Sequence, residues 1–183
     1  MAQGPAEEGR LRLIRGLTLL ELVLVLVILA VAGAVAMPYY LASLPNRRAA
    51  AATRQVVTDL RRARTLAVES GEPVYVVFEA GTSVYRIVLE ADGVAGPSAG
   101  DETDREVALT DQFPGVVLGS TVVADPITFQ DDVAVFRPRG TSNGGSVVLR
   151  VPGRATAERK VTVLSTTGRV RAYTWNPATG RWE

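Results

Sequence analysis

The residues that most often carry catalytic chemistry are scarce in this chain of 183 residues. It contains no His and no Cys, which excludes a Ser-His-Asp triad, a cysteine nucleophile and any metal site built on imidazole or thiolate. Its only lysine is Lys160, so Ser/Lys chemistry would rest on a single residue. Carboxylate pairs and purely carboxylate metal sites remain, and we therefore do not expect an enzyme.

Most of the carboxylates lack a spacing typical of a catalytic or metal site. Residues 91–106 are rich in Gly, Pro, Ser and acidic side chains, which predicts a flexible surface loop. Asp101, Asp104 and Glu106 offer calcium-type oxygen atoms but lack the central glycine of a known calcium loop. Asp131-Asp132 predicts a turn. We predict no cofactor and no metal.

One carboxylate, Glu21, differs because it lies within an apolar segment. Residues 22–37 are an unbroken apolar run of 16 residues, and the stretch counted from Leu17 has 21. A helix of that length spans about 31 Å, which matches the hydrocarbon core of a bilayer. Three arginines lie among residues 10–15, so the positive-inside rule predicts a cytoplasmic start and an extracytoplasmic remainder.

Two simpler interpretations of this segment remain open. A secretory signal peptide has the same order of basic, apolar and small residues, and a cut after Ala36 would release a soluble periplasmic protein. An uncut signal anchor is the other. Glu21 argues against both, because a carboxylate in a spanning helix costs a few kcal/mol and needs a partner. A cut after Gly16 would supply one, since the new α-amino group of Leu17 would lie about 6 Å away along the helix.

Residues 15–21, Arg-Gly-Leu-Thr-Leu-Leu-Glu, together with the apolar run, resemble the class III signal of type IV pilins and type II secretion pseudopilins. The resemblance implies that a membrane prepilin peptidase cuts after Gly16 and methylates Leu17, where the family usually has Phe. It also implies that Glu21 helps to place the subunit in a helical filament. The mature chain would have 167 residues with 17 basic and 17 acidic side chains, a balance that argues against a generally cationic nucleic-acid binder.

The helix is expected to continue beyond the membrane as an amphipathic segment. Pro38 and Pro45 predict interruptions, because proline lacks the amide donor and clashes with the preceding turn. Between residues 47 and 70, apolar side chains recur every three or four positions, at Val56, Leu60, Ala63 and Ala67. The same segment carries Arg47, Arg48, Arg54, Arg61, Arg62 and Arg64. These arginines predict a solvated surface or, alternatively, pairing with adjacent subunits or lipid headgroups.

From Val74 onward the chain consists of short β-rich runs separated by turn residues. The runs 74–78 and 84–89, divided by Gly81-Thr-Ser, predict a hairpin. The other predicted strands are 116–118, 127–129, 133–136, 146–151, 161–164 and 169–173. Residues 139–145 are glycine-rich without the Gly-Lys-Ser/Thr of a phosphate loop, and they predict a long hairpin tip.

A long helix followed only by strands predicts an α+β fold, pilin-like in view of the resemblance, in which the helix packs on an antiparallel sheet. We expect a cleaved leader over residues 1–16 and a transmembrane, filament-core helix over 17–37. Its amphipathic continuation is expected over 38–70, followed by a β-rich periplasmic head over 71–183.

Three further motifs, in residues 60–67, 136–142 and 167–171, resemble the GspH/FimT group of minor pilin-like proteins. The resemblance implies a minor pseudopilin of a type II secretion system, anchored in the inner membrane and assembled with other pseudopilins in the periplasmic pseudopilus. The alternative that it implies is a FimT-like type IV minor pilin that binds DNA. Arg169 and Arg171 would then contact DNA, because alternation in a strand places both on one face.

Overall fold

The computed structural model describes residues 18–183, which form two compact units, one ending at Ala42 and the other spanning Ser43–Glu183. In the first unit the chain is helical from Leu19, and its large apolar side chains are exposed. This helix is long and apolar enough to cross a membrane, judged by length and composition. The predicted cleavage and methylation positions, Gly16 and Leu17, lie outside the described residues.

The interruptions predicted at Pro38 and Pro45 are wrong, because a single α-helix, α1, is assigned from Leu19 to Ser70. Each proline removes its own amide donor and the one hydrogen bond that this donor would make. A helix of 52 residues retains the remaining bonds of its ladder, so two prolines do not end it.

In the second unit, one face of α1 lies in the hydrophobic core. The predicted positions Val56, Leu60, Ala63 and Ala67 are all buried, which confirms the amphipathic pattern. The buried face also includes Ala49, Ala52, Thr53 and Asp59. Because alanine is small, this face allows strands to pack close to the helix backbone.

The first sheet has four antiparallel strands in the order β3-β2-β1-β5. Their bounds are β1 Val74–Glu79, β2 Val84–Leu89, β3 Glu102–Ala108 and β5 Val133–Phe136. The predicted hairpin is confirmed, because Val74 pairs with Leu89 and Glu79 pairs with Val84. The turn of Asp131-Asp132 is a short 3-10 helix, Gln130–Asp132, that leads into β5.

The flexible loop predicted over residues 91–106 is wrong for residues 102–106, because these belong to strand β3. Its pairing with β2 runs from Ala108 opposite Val84 to Glu102 opposite Leu89. Glu102, Asp104 and Glu106 are exposed, and β3 is an edge strand. An edge strand that carries charges protects its free backbone groups from pairing with other chains, but its composition resembles that of a loop.

The second sheet has five antiparallel strands in the order β4-β6-β7-β8-β9. Their bounds are β4 Val117–Leu118, β6 Gly145–Val151, β7 Arg154–Val163, β8 Val170–Asn176 and β9 Arg181–Trp182. A short helix, α2, spans Leu109–Gln112. The sequence did not indicate β9 or residues 154–160 of β7. The run predicted at 127–129 contributes an isolated bridge between Ile127 and Val147.

The hairpin tip predicted over residues 139–145 is correct only for its first part, where an antiparallel bridge between Phe136 and Ser142 closes a tight turn. The segment then leads from β5 in the first sheet to β6 in the second, and it does not join two paired strands. Gly140 closes a tight turn, in which its amide donates to the carbonyl oxygen of Arg137 at 2.8 Å. Gly144 and Gly145 then adopt positive φ angles as the chain enters β6. Glycine spacing alone does not distinguish a hairpin from a connection between sheets.

Two buried carboxylates fasten parts of the head. Glu158 on β7 is fully buried and accepts hydrogen bonds from the Ser120 hydroxyl at 2.8 Å and the Thr121 amide at 2.7 Å. It also accepts one from the Thr121 hydroxyl. Glu158 therefore holds the loop after β4 against the second sheet.

The other buried carboxylate, Asp59, joins α1 to the first sheet. It accepts hydrogen bonds from the Tyr85 hydroxyl at 2.5 Å and the Gln55 amide at 3.0 Å. Arg105 on β3 forms a salt bridge with it at 3.4 Å. Burial, followed by the hydrogen bond to Asp59, raises the pKa of the Tyr85 hydroxyl far above its ordinary value. Tyr85 therefore stays a neutral donor.

We expect Asp59→Asn to destabilise the head by about 2–3 kcal/mol, because the neutral amide loses the salt bridge to Arg105 and turns an NH₂ donor toward groups that are themselves donors. The measurement is urea unfolding of the detergent-solubilised chain, followed by tryptophan fluorescence from the head. Asp104→Asn is the matched control. Asp104 pairs with the exposed Arg62, and exposed pairs contribute little. Equal unfolding midpoints for the two variants would contradict the role of Asp59.

Candidate anion-binding cleft

The three motifs of residues 60–67, 136–142 and 167–171 meet at one side chain, Arg64. Its Nε donates to the carbonyl oxygen of Gly140 at 3.1 Å. A Cβ built on Gly140 would lie 3.1 Å from the guanidinium of Arg64, and one built on Gly168 would lie 3.1 Å from the Arg64 side chain. The Arg64 side chain therefore passes between two glycine turns that leave no room for a larger residue.

Gly168 is required for a second reason, its backbone. Its φ angle is +59°, and an added Cβ would lie 2.5 Å from the carbonyl oxygen of Gly140. Its amide donates to the carbonyl oxygen of Leu164 at 2.8 Å, which closes the turn between β7 and β8. Only glycine fits both the left-handed conformation and the close approach of the second turn.

Beside this junction is an open cleft of about 710 Å³. It lies between the second half of α1 and the turn that joins β7 to β8. Its lining residues are Arg61, Arg64, Thr65, Leu164, Thr166, Thr167, Gly168, Arg169 and Val170. Three guanidinium groups and three hydroxyl groups thus surround a space to which no acidic residue of the described chain contributes.

Arg169 and Arg171 are both exposed and lie on either side of the buried Val170. Arg169 precedes β8 and lines the cleft. Arg171 is exposed within β8, opposite Thr162, and it is not among the residues that line the cleft. Sequence reasoning missed Arg61 and Arg64 as cleft residues, because they lie about 100 positions from Arg169 and only the fold brings them together.

Arg171 belongs to a surface of β8, which we call the aromatic face. Alternation along β8 places Arg171, Tyr173 and Trp175 on one side of the sheet. Cross-strand pairing adds Lys160 opposite Tyr173 and Trp182 opposite Trp175. The two tryptophan rings meet edge to face with centroids 5.3 Å apart, and the Lys160 Nζ lies 5.1 Å from the Trp182 ring.

Several arginines of α1 contact the same chain rather than forming only a solvated surface. Arg62 makes a two-pronged salt bridge with Asp104 on β3, at 2.9 and 3.0 Å. Arg48 donates to the carbonyl oxygen of Pro114 at 3.2 Å. Together with Arg64, these residues connect α1 to β3, to the loop at Pro114 and to the turn at Gly140.

The structure does not assemble the calcium-type set of Asp101, Asp104 and Glu106, because Asp104 is turned to Arg62. Within residues 18–183, Asp101 lies instead near Glu90 and Asp92. The loop's own groups satisfy these carboxylates. Asp101, for example, accepts hydrogen bonds from the Ala91 and Ser98 amides at 3.0 and 2.8 Å.

The comparison with known proteins identifies the family of this chain. The sequence model of "Type II transport protein GspH" matches residues 52–168, which begin in α1 and end at the buried glycine of the cleft. The chain belongs to the GspH family. This membership confirms the resemblance seen in the sequence. A search of the curated proteins found no match.

Solved structures resemble this GspH family member in fold. The minor pseudopilin EpsH from the type II secretion system of Vibrio cholerae superposes with a TM-score of 0.51 and 16% identity, covering 69% of this chain and 97% of EpsH. The type IV minor pilin FimU of Pseudomonas aeruginosa matches with a TM-score of 0.48 and 13% identity, over 73% of this chain and 95% of FimU. The pilin-like α+β fold is therefore confirmed.

Family membership also sets the general class of the protein. The GspH family and the structural neighbours are pilin-like structural proteins rather than enzymes. The apolar helix at the start of α1 fits a membrane anchor followed by a folded head. Glu21 lies in the first turn of α1, where its backbone amide donates a hydrogen bond to the Thr18 hydroxyl oxygen at 3.2 Å.

We expect Gly168→Ala to destabilise the head by about 1–3 kcal/mol more than Gly180→Ala, because the added methyl group must displace the Gly140 turn or Arg64. Gly180 is the matched control. Its φ angle is +63°, but a Cβ there would meet nothing within 4 Å. Both variants carry the conformational cost of alanine at positive φ, of about 1–2 kcal/mol. Equal losses of unfolding free energy in the two variants would mean that the close contact between Gly168 and the Gly140 turn does not contribute to the cost of the added methyl group.

Proposed function

We propose that this protein is a minor pseudopilin of a type II protein secretion system. The observation that carries the proposal is the combination of GspH family membership with an exposed apolar helix whose first turn contains Glu21. In this role the helix joins the core of the periplasmic pseudopilus beside other pseudopilins. The head performs no chemistry and faces the periplasm.

The physical basis of assembly is the burial of the apolar helix among similar helices. Large apolar side chains from Leu19 to Leu41 are exposed in the single chain. Helices packed in a filament would exclude water and lipid from them. Glu21 would then be desolvated, and a carboxylate in that environment requires a cation close by. The α-amino group of a processed Leu17, on this chain or a neighbouring one, has the required charge.

Processing of the leader can be tested directly. We expect a prepilin peptidase of the inner membrane to cut after Gly16 and to leave N-methyl-Leu17 as the new terminus. Intact and N-terminal peptide mass spectrometry of the protein from its native membrane, with and without the peptidase, measures this. A peptide that begins at Met37 would contradict the proposal and indicate a released periplasmic protein, whereas an intact leader would indicate a plain anchor.

Glu21→Ala tests the assembly role. We expect the variant to enter the membrane normally, because a more apolar helix inserts at least as well. It should fail to join filaments, because the α-amino partner would lack its carboxylate. The control is Glu72→Ala, which removes an exposed glutamate just beyond the other end of α1. Membrane fractionation and co-purification with the major pseudopilin are the measurements, and normal incorporation of Glu21→Ala would refute the assignment.

A second candidate function, DNA binding by a FimT-like type IV minor pilin, is favoured by the aromatic face. Single-stranded nucleic acids bind surfaces where bases stack on aromatic rings and cations contact phosphates. Arg171 and Lys160 would contact phosphates there, while Tyr173 and Trp175 would offer rings. Arg169, in the cleft, would add a contact only if DNA extended around the turn before β8.

DNA binding would be measured by fluorescence anisotropy of a labelled oligonucleotide with the detergent-solubilised chain at several salt concentrations. If this function holds, Arg171→Ala should weaken binding and reduce the salt dependence by about one counterion. Arg169→Ala should have a smaller effect, and Arg47→Ala, which removes an exposed arginine elsewhere, should have none. The absence of binding at low salt would eliminate the DNA-binding candidate.

A further inference from the structure

The cleft beside Arg64 gathers positive charge that the head itself does not neutralise. Arg61, Arg64 and Arg169 line one space of about 710 Å³. Among residues 18–183, the salt bridges of the head involve other arginines, namely Arg62, Arg86 and Arg105. Guanidinium groups held around one space repel one another, so a bound anion would lower the energy of the arrangement.

Arg64 is fixed in place rather than free to move away. Its Nε is bonded to the Gly140 carbonyl oxygen, and its side chain passes beside Gly168. The remaining nitrogen atoms of this guanidinium are therefore held at the cleft by the fold. Such preorganisation lowers the entropy cost of binding an oxyanion, and the hydroxyls of Thr65 and Thr167 offer further donors.

The borders of the cleft are apolar as well as charged. Leu164 lines it and is 42% exposed. A smaller depression of about 290 Å³ is also lined by Arg64 and Thr65, together with Val68 and Glu69. Val68 is 53% exposed. A phosphate backbone gains nothing from Leu164 and Val68. A peptide that carries a carboxylate beside apolar residues complements both the three guanidinium groups and these two apolar side chains.

We propose that the cleft is a docking site for a segment of another filament subunit in which an Asp or Glu is flanked by apolar residues. The carboxylate would bind between Arg61, Arg64 and Arg169, and the apolar neighbours would cover Leu164 and Val68. This inference rests on the proposed function, because it requires other subunits beside the head. It assigns to the head its own contact, separate from packing of the apolar helices.

The test is photo-crosslinking in the native membrane, with the full chain carrying p-benzoylphenylalanine in place of Leu164. We expect an adduct with another filament subunit, and mass spectrometry should map it within a few residues of an Asp or Glu. Combining Arg61→Glu with Arg169→Glu should reduce the adduct at least about tenfold, since opposed charges at an interface are costly. Arg171→Glu, the same charge change outside the cleft, should leave it unchanged. Replacing the mapped acidic residue by Arg should restore the adduct in the doubly charge-reversed chain.

A second probe, p-benzoylphenylalanine in place of Val31, reports helix packing independently of the head. Adducts from position 31 without any from 164 would overturn the docking site and leave the proposed function intact. So would a 164 adduct that is insensitive to charge reversal, or that forms on nucleic acid. The absence of subunit adducts from both positions would count against the proposed function, and the docking site would be rejected with it.

Discussion

The head depends on one face of a single helix being both small and almost entirely apolar. Ala52, Val56 and Ala63 belong to one continuous core cluster with side chains from both sheets, such as Phe78 and Val161. A helix face of larger residues would keep strands farther from the helix axis. Because the core contains both sheets, loss of this face would remove the surface that each of them covers.

Polar contacts then determine how the remaining groups are arranged around that core. Asp59 contacts the first sheet through Tyr85 and Arg105, whereas Arg64 contacts the turns at Gly140 and Gly168. The buried carboxylate tolerates few alternative positions, because unsatisfied polar groups are costly when buried. Arg64 is exposed, and its contacts with the two glycine turns place it beside the cleft.

The sequence predicts elements wherever the local pattern and the fold agree. The spacing of Val56, Leu60, Ala63 and Ala67 predicts the buried helix face, and the β1–β2 hairpin follows from a glycine between two β-rich runs. Strand β3 could not be predicted, because it lies at the edge of the sheet, carries exposed acidic side chains and therefore has a composition that resembles a loop. The cleft could not be predicted either. Arg61, Arg64 and Arg169 become neighbours only through long-range packing.

The acidic edge strand has a consequence for a protein whose copies share a membrane surface. Anchored heads diffuse in two dimensions, which raises the frequency of encounters between their sheet edges. Glu102 and Glu106 on β3 make edge-to-edge pairing of identical heads repulsive, because like charges would face each other across the new ladder. Subunits waiting in the membrane can therefore remain crowded without aggregating through this edge.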